Sequence, residues 1–516
     1  MQQSQSKQQV GGILGFIERI GNKIPDITIL FISAFLLVCV VSAVLAQIHF
    51  NYVHPATGRP IEITNMLSGK ALVDLMSKMV TNYANFPPLS MVIVATLGIG
   101  IADGSGYINT GLKKILSITP KVLITPVVIL VGMLSHLGPD SGYVIIIPIA
   151  AYMFYAVGKH PLAGIAASFA GIAGAFAANY TPSAIDPVIQ GFTQSAAQII
   201  DPGYQVNVLC NYFYAFASTF IVIGACWGVT DKITIPWLWK ACPLDDDLDL
   251  GNENNSSITP SENRAFKIAT AVLLLMLTGL AAALYPADSI LRAPDGVSAS
   301  FKAPIMQSIV SLIFIFAALV GLVYGIACGK FKSPKDVTAA MEEITKTLVQ
   351  LIVFYFFAAQ FLYAFGASNM GALIAVSGAE FLKSLNLPPQ VTVFGIIVFV
   401  ALLNLIITSA SAKWAILAPI FVPMLMAVGI APELTQVAFR VSDSAVNVVT
   451  PMFAFYPLII LYCQKYVKNA GIGTLSSMML PYTIALLVSL TFMLYLFWWL
   501  DIPLGFQADY VNPRRF

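Results

Sequence analysis

Long apolar runs separated by short polar breaks dominate the chain. Runs over 27–46, 88–102, 121–138, 206–228, 265–285, 304–328, 346–366, 389–409 and 474–499 approach or exceed a membrane crossing, which takes about 20 apolar residues in helical form. The pattern predicts about nine transmembrane helices. Two further apolar stretches, 139–180 and 410–450, are broken near the middle, at Gly158–Pro161 and Gly429–Pro432. Each half is short for a full crossing, so the broken stretches read as re-entrant helical hairpins. Irregular backbone at that depth is tolerated only inside protein or beside a water-filled cavity. The first run is too long for the apolar core of a signal peptide and lacks a clear cleavage site, so it reads as the first membrane helix.

The two hairpins resemble each other in sequence. Tyr143, Pro148, Gly158 and Pro161 of the first correspond to Trp414, Pro419, Gly429 and Pro432 of the second, each pair separated by 271 residues. Each hairpin then closes on Asn and Thr-Pro, at Asn179 and Thr181-Pro182 and at Asn447 and Thr450-Pro451. With the spans counted, the first hairpin enters from outside and the second from inside. That is an inverted repeat, a construction in which transport sites lie near the midplane where discontinuous helices meet.

Composition strengthens the membrane reading. Apolar residues make up 58% and charged residues 10% of 516, against roughly 25% charged in soluble domains. A net charge of +2 without a basic stripe gives no reason to expect nucleic acid. The six cysteines show no CxxC or metal spacing and the four histidines are scattered, so no metal site or cofactor is expected. Lysines and arginines set the orientation. Lys113, Lys114, Lys121, Lys232, Lys240, Arg264, Lys267, Lys330, Lys332, Lys335, Lys346, Lys465 and Lys468 fall in loops on one side, against Arg292, Lys302 and Lys383 in short loops on the other. The bias places the N-terminus inside. The expected organisation is a cytoplasmic N-terminus over 1–26 and a first membrane half over 27–228 with hairpin 139–180. An acidic cytoplasmic linker (Asp245, Asp246, Asp247, Asp249) over 229–264 and connecting spans and a loop over 265–345 follow. A second membrane half over 346–505 with hairpin 410–450 and a tail over 506–516 complete it.

Ionisable groups inside apolar stretches are functional candidates by default. Asp186 lies just after the first hairpin; Arg440 and Asp443 lie in the second arm of the second. Asp140 and Ser141 open the first hairpin, as Ser409, Ser411, Lys413 and Trp414 open the second. Arg440 and Asp443, three apart, share a helix face. They either neutralise each other, or Arg440 takes a substrate carboxylate and Asp443 a cation, a proton or an amine. Asp186, between prolines, is either a proton or ion carrier or the cap of the next helix. Trp414 either stacks on an aromatic ring or packs, and Asn404 either faces the cavity or bonds a neighbouring helix. Pro148, Pro161, Pro419, Pro432, Pro451 and Pro457 free backbone carbonyls or kink helices.

At these residues the chain resembles the AbgT family of aminobenzoyl-glutamate transporters over essentially its whole length. Similar segments are Glu18-Arg-Ile-Gly-Asn22-Lys-Ile-Pro25, Asn85-Phe86-Pro-Pro88-Leu89, Gly158-Lys-His160-Pro161-Leu-Ala-Gly164 and Ile185-Asp186-Pro187. So are Ser409-Ala-Ser411-Ala-Lys-Trp414-Ala, Ala418-Pro419-Ile-Phe-Val-Pro423-Met424, Arg440-x-x-Asp443-Ser444 and Gly473-Thr-Leu-Ser-Ser-Met-Met-Leu-Pro481-Tyr482. The resemblance implies nine membrane helices, two re-entrant hairpins and a bowl-shaped homodimer with an aqueous basin in the bacterial inner membrane. It implies transport of p-aminobenzoyl-glutamate-like folate catabolites, export of sulfonamide antimetabolites in some members, and coupling to H+ or Na+. The family's important positions fall on Asp186, Asn404, Ser411, Trp414, Pro432, Arg440, Asp443 and Pro451. Lys413 departs from a pattern usually neutral just before the tryptophan, and a cation there would bind a second substrate carboxylate or alter ion coupling.

The residue chemistry fits such a ligand: an aromatic ring, an amide and two carboxylates match Arg440, Lys413, Trp414 and Ser411. Two other classes stay open at this point. Asp186 and Asp443 could form the dyad of an intramembrane hydrolase, although no GxGD, HExxH or GxSxG motif is present. A passive channel is the other.

Overall fold

The computed structural model describes residues 25–512 except 55–56, 136–140, 175, 184, 246–257 and 301. The N-terminal motif up to Ile24, Asp140 and most of the acidic run lie outside the described residues, and so does the side chain of Ser141.

The described chain is helical. The first half holds α1 (Ile27–Leu45), α2 (Gly69–Ala84), α3 (Pro87–Ser105), α4 (Tyr107–Ser117), α5 (Ile124–Leu134), α6 (Ser141–Ala156), α7 (Pro161–Ala173), α8 (Ile185–Ala197) and α9 (Tyr212–Val229). A π-helical turn over Thr230–Thr234 joins α9 to α10 (Ile235–Ala241), and α11 (Pro260–Leu284) and α12 (Ile309–Ala327) connect the halves. The second half holds α13 (Pro334–Ala367), α14 (Met370–Ser384), α15 (Pro389–Asn404), α16 (Ala410–Ala427), α17 (Pro432–Val446), α18 (Tyr456–Gln464) and α19 (Ile472–Trp499). Eight helices or helix runs are long and apolar enough to cross a membrane, or up to ten with the bent pairs α4–α5 and α14–α15. Each of the nine expected spans has its helix.

The boundaries differ in three places. The run 389–409 stops being helical at Asn404, because Ser409 starts α16 by accepting from Ala412 N. The run 206–228 begins its helix only at Tyr212, since Asn207 caps the local loop at Leu209 N and Asn211 reaches Glu433 O of the second half. The linker opens as helix through Ala241 before leaving the described residues.

Both hairpins turn where the Gly/Pro breaks stand. Gly158 and Gly429 take positive φ, 78° and 88°, a conformation that glycine enters without steric cost. Lys159 N donates to Phe154 O and Ile430 N to Leu425 O, both at 2.9 Å, so the same helix-ending turn recurs at the 271-residue offset. The inner arms α7 and α17 are buried along their whole described length, whereas α11 buries only Ala265 and Ala269. The hairpins form the core of the bundle; α11 is its rim.

The two tips lie at opposite ends. Near the start of α19, the first tip docks on the end of α9: Lys159 pairs with Asp231 at 3.0 Å, and the His160 ring meets Cys242 O at 2.9 Å. Thr230 and Tyr482 of α19 share a 2.7 Å hydrogen bond at that end. The second tip is clasped by the segment following α19. Ala431 N donates to Tyr510 O, Asn512 N to Gly429 O, and Asn512 Nδ2 to Met426 O. Ile430 and Val511 form an antiparallel bridge.

Candidate functional site

α17 carries a polar stripe. Glu433, Gln436, Arg440, Asp443 and Asn447 follow one another at three- and four-residue steps, so they fall on one helical face. All five are buried. Buried polar groups need partners, and these come from both halves of the chain.

Arg440 reaches the first half. Its Nη1 lies 2.7 Å from Asp186 Oδ1, and Nη2 donates to Phe176 O at 2.9 Å. Its Nε donates to no acceptor among the described residues. The other oxygen of Asp186 accepts from Ser183 N and Oγ, at 2.8 and 3.0 Å. Asp186 therefore both fixes the turn that starts α8 and neutralises Arg440. A cavity of about 10 Å³ opens between Asn179, Thr181, Asp186, Asn211, Tyr212 and Arg440, room for a single water molecule.

Asp443 is held by Lys413 rather than by Arg440. Lys413 Nζ sits 2.6 Å from Asp443 Oδ1 with the two side chains 1% and 0% exposed. The ammonium also donates to Asn404 Oδ1 and, at 3.2 Å, to Ile407 O. Asn404 Nδ2 donates back to Asp443 O, and Asn447 Nδ2 to Asp443 Oδ2, at 2.9 and 3.0 Å. The unwound 405–408 segment supplies the Ile407 carbonyl, and its Leu405 O accepts from Thr450 Oγ1 at 2.8 Å. Mutual neutralisation of Arg440 and Asp443, open from sequence, is replaced by two cross-element pairs.

Trp414 stacks on Phe439 with centroids 4.4 Å apart and 26° between planes. Its indole N–H donates to Thr193 Oγ1 at 2.9 Å. Thr193 donates to Gln436 Oε1, Gln436 to Asn211 Oδ1, and Asn211 to Glu433 O, at 2.6, 2.7 and 3.1 Å. Ser411 is buried in the first turn of α16, Pro432 opens α17, and Pro451 is half-buried after Thr450. Thus Asp186, Asn404, Lys413, Arg440 and Asp443 gather in two ion-pair clusters, with Trp414 tied to the stripe. Glu433, Gln436, Thr193 and Asn211 escaped the sequence reading, although the stripe spacing was legible. Among the described residues, no group of three or more His, Cys, Asp or Glu side chains could hold a metal ion.

A profile of the AbgT putative transporter family matches residues 12–512. The p-aminobenzoyl-glutamate transport protein of Escherichia coli (strain K12) is 33% identical over 501 residues, 97% of each chain. The YdaH transporter of Alcanivorax borkumensis, whose crystal structure is described as revealing an unusual topology, is similar at a TM-score of 0.87 and 37% identity, over 93% of this chain and 100% of that one. MtrF of Neisseria gonorrhoeae, described as illuminating a class of antimetabolite efflux pumps, is similar at a TM-score of 0.90 and 39% identity, over 97% and 99%.

Proposed function

The chain belongs to the AbgT transporter family, and from that premise we propose that it is a proton-coupled secondary transporter of p-aminobenzoyl-glutamate-like folate catabolites, an exporter of sulfonamide antimetabolites, or both. Its relatives are transporters and not enzymes, which removes the hydrolase alternative. The observation that carries the reading is the Arg440–Asp186 pair, which joins α17 to the start of α8 in the buried core. A substrate carboxylate competes with Asp186 for the guanidinium. When Asp186 takes a proton, Arg440 is released to the substrate; when the substrate leaves, Asp186 gives up the proton and reclaims Arg440. Arg440 Nε offers a further donor, and a planar guanidinium matches a carboxylate.

Protons are favoured over Na+ because the oxygens of Asp443, Asn404 and Ile407 already bind the Lys413 ammonium. A cavity of about 10 Å³ beside Arg440 does not admit an aromatic dicarboxylate. Movement of the hairpins is then required, which favours alternating access in an inverted repeat over a fixed channel. Lysines near the first tip, such as Lys159, Lys232 and Lys465, support that end as cytoplasmic in the inner membrane. The apolar surface of α11, with Leu274 and Leu275 exposed, suits lipid or the second protomer of a homodimer.

The test is reconstitution in liposomes with radiolabelled p-aminobenzoyl-glutamate and a sulfonamide under imposed pH or Na+ gradients. Flux driven by the pH gradient and lost in Asp186→Ala, Arg440→Ala and Asp443→Ala is expected. Transport of neither compound would overturn the substrate assignment, and flux indifferent to all three substitutions would overturn the site.

A further inference from the structure

The stripe on α17 contains one charge that the two ion pairs do not balance. Arg440 and Lys413 oppose Asp186 and Asp443, two against two. Glu433 is left over. It is 1% exposed, at the clasped tip of the second hairpin. Its carboxylate accepts from the Tyr204 hydroxyl, at 3.0 and 3.3 Å, and from its own backbone N–H in the first turn of α17, with no cation among these donors. The other titratable groups acting on this spot are Cys210, from the connection before α9, and Asp509, from the clasping segment. Asp509 is acidic, and the nearest cation on the same helix, Arg440, is two turns away and committed to Asp186. An ionised carboxylate in this setting is a buried charge without a counter-ion, which is strongly unfavourable; a protonated one is an ordinary buried polar group.

The geometry points to Glu433 as a second proton-binding site, whose protonation decides whether the tip of the second hairpin closes under the clasp. With a proton on one carboxyl oxygen, the side chain remains buried against Tyr204 and the tip stays shut. When that proton leaves to water, the bare carboxylate favours a state in which water reaches the tip, and the 429–431 backbone separates from 510–512. The line from Asn211 through Gln436 and Thr193 to Trp414 ties the Glu433 turn to the site, so opening at the tip is felt at Trp414. This inference rests on the proton-coupled reading above, but it assigns a different carboxylate and a gating role.

Two measurements on the full-length protein test it. Infrared spectra at neutral pH are expected to show a protonated-carboxyl stretch in wild type that is missing from Glu433→Gln. In liposomes, Glu433→Gln is expected to lose pH-gradient-driven flux by about tenfold or more while keeping substrate exchange at equal pH within about twofold, a coupling loss without a binding loss. Asp186→Asn should lose both. Glu433→Asp, which retains a titratable group, should keep gradient-driven flux with a displaced pH profile, and it serves if the glutamine variant does not fold. Identical infrared spectra, or full gradient drive in Glu433→Gln, would overturn the Glu433 assignment and leave the Asp186 reading standing. A wild type that transports but ignores the pH gradient would overturn both.

Discussion

Lys413→Met isolates the energetics of the buried charge cluster. Methionine nearly matches lysine in length but strands Asp443 in a site where both residues are almost fully excluded from solvent. Charges 2.6 Å apart attract by about 6 kcal/mol at an effective dielectric constant near 20. Desolvation offsets much of that, so the net value of the pair is small while the loss of one partner costs about 3–5 kcal/mol. Asp443→Asn strands the ammonium instead, although the amide oxygen still accepts from it. The double variant strands neither charge, so its loss should fall short of the sum of the singles by about 2–3 kcal/mol. Thermal unfolding in detergent, followed by tryptophan fluorescence, reads this out. At roughly 2 °C per kcal/mol, Lys413→Met should lower the midpoint by about 6–10 °C. Strict additivity of the two substitutions would show that the charges do not interact. A Lys413→Met midpoint equal to wild type would show that the Lys413–Asp443 contact carries none of this stability.

Other substitutions probe separate links. Arg440→Lys keeps the charge but cannot reach Asp186 and Phe176 O together, so liposome flux should fall about tenfold or more, and unchanged flux would remove the case for guanidinium geometry. Thr193→Val parts the Trp414 indole from Gln436, which should cost about 1–3 kcal/mol and shift the tryptophan emission; an unchanged spectrum and midpoint would refute the link. Gly321→Val would put a Cβ 2.5 Å from Ala102 N where α12 meets α3, and overpacking there should cost about 1–3 kcal/mol in thermal stability. Gly279→Val on α11, where a Cβ meets nothing within 4 Å, is the control and should leave the midpoint in place.

How much of this was legible depends on whether a feature is local. The hairpin turns were readable because Gly158 and Gly429 mark positive φ and Pro161 and Pro432 mark the next helix start. The expected spans were readable because lipid demands long apolar runs. α2, α4 and α14 were not, since residues such as Lys70, Asp74 and Lys78, Lys113 and Lys114, and Glu380 and Lys383 interrupt their apolar runs. The candidate residues were legible as buried charges, but their pairing was not. Arg440 and Asp443 share a face, yet 254 residues separate Arg440 from its partner Asp186. Lys413 finds Asp443 only because the 405–408 segment unwinds beside α17. Glu433 was passed over because it sits next to Pro432 at a break, where an acidic residue reads as a helix start.

The clasp on the second hairpin also orders the protein's biogenesis. Tyr510 and Asn512 hold Gly429 and Ala431, yet they are synthesised about 80 residues later, and α19 must enter the membrane between them. At about 5–20 residues per second, the ribosome leaves the tip unclasped for roughly 4–16 s. During that interval Glu433 lacks the cover of the returning segment, and the hairpin has to be sheltered by the insertion machinery or by the first half already in place. Docking of 510–512 on 429–431 thus follows the insertion of α19, and a fault in that segment would be felt at the tip of the second hairpin.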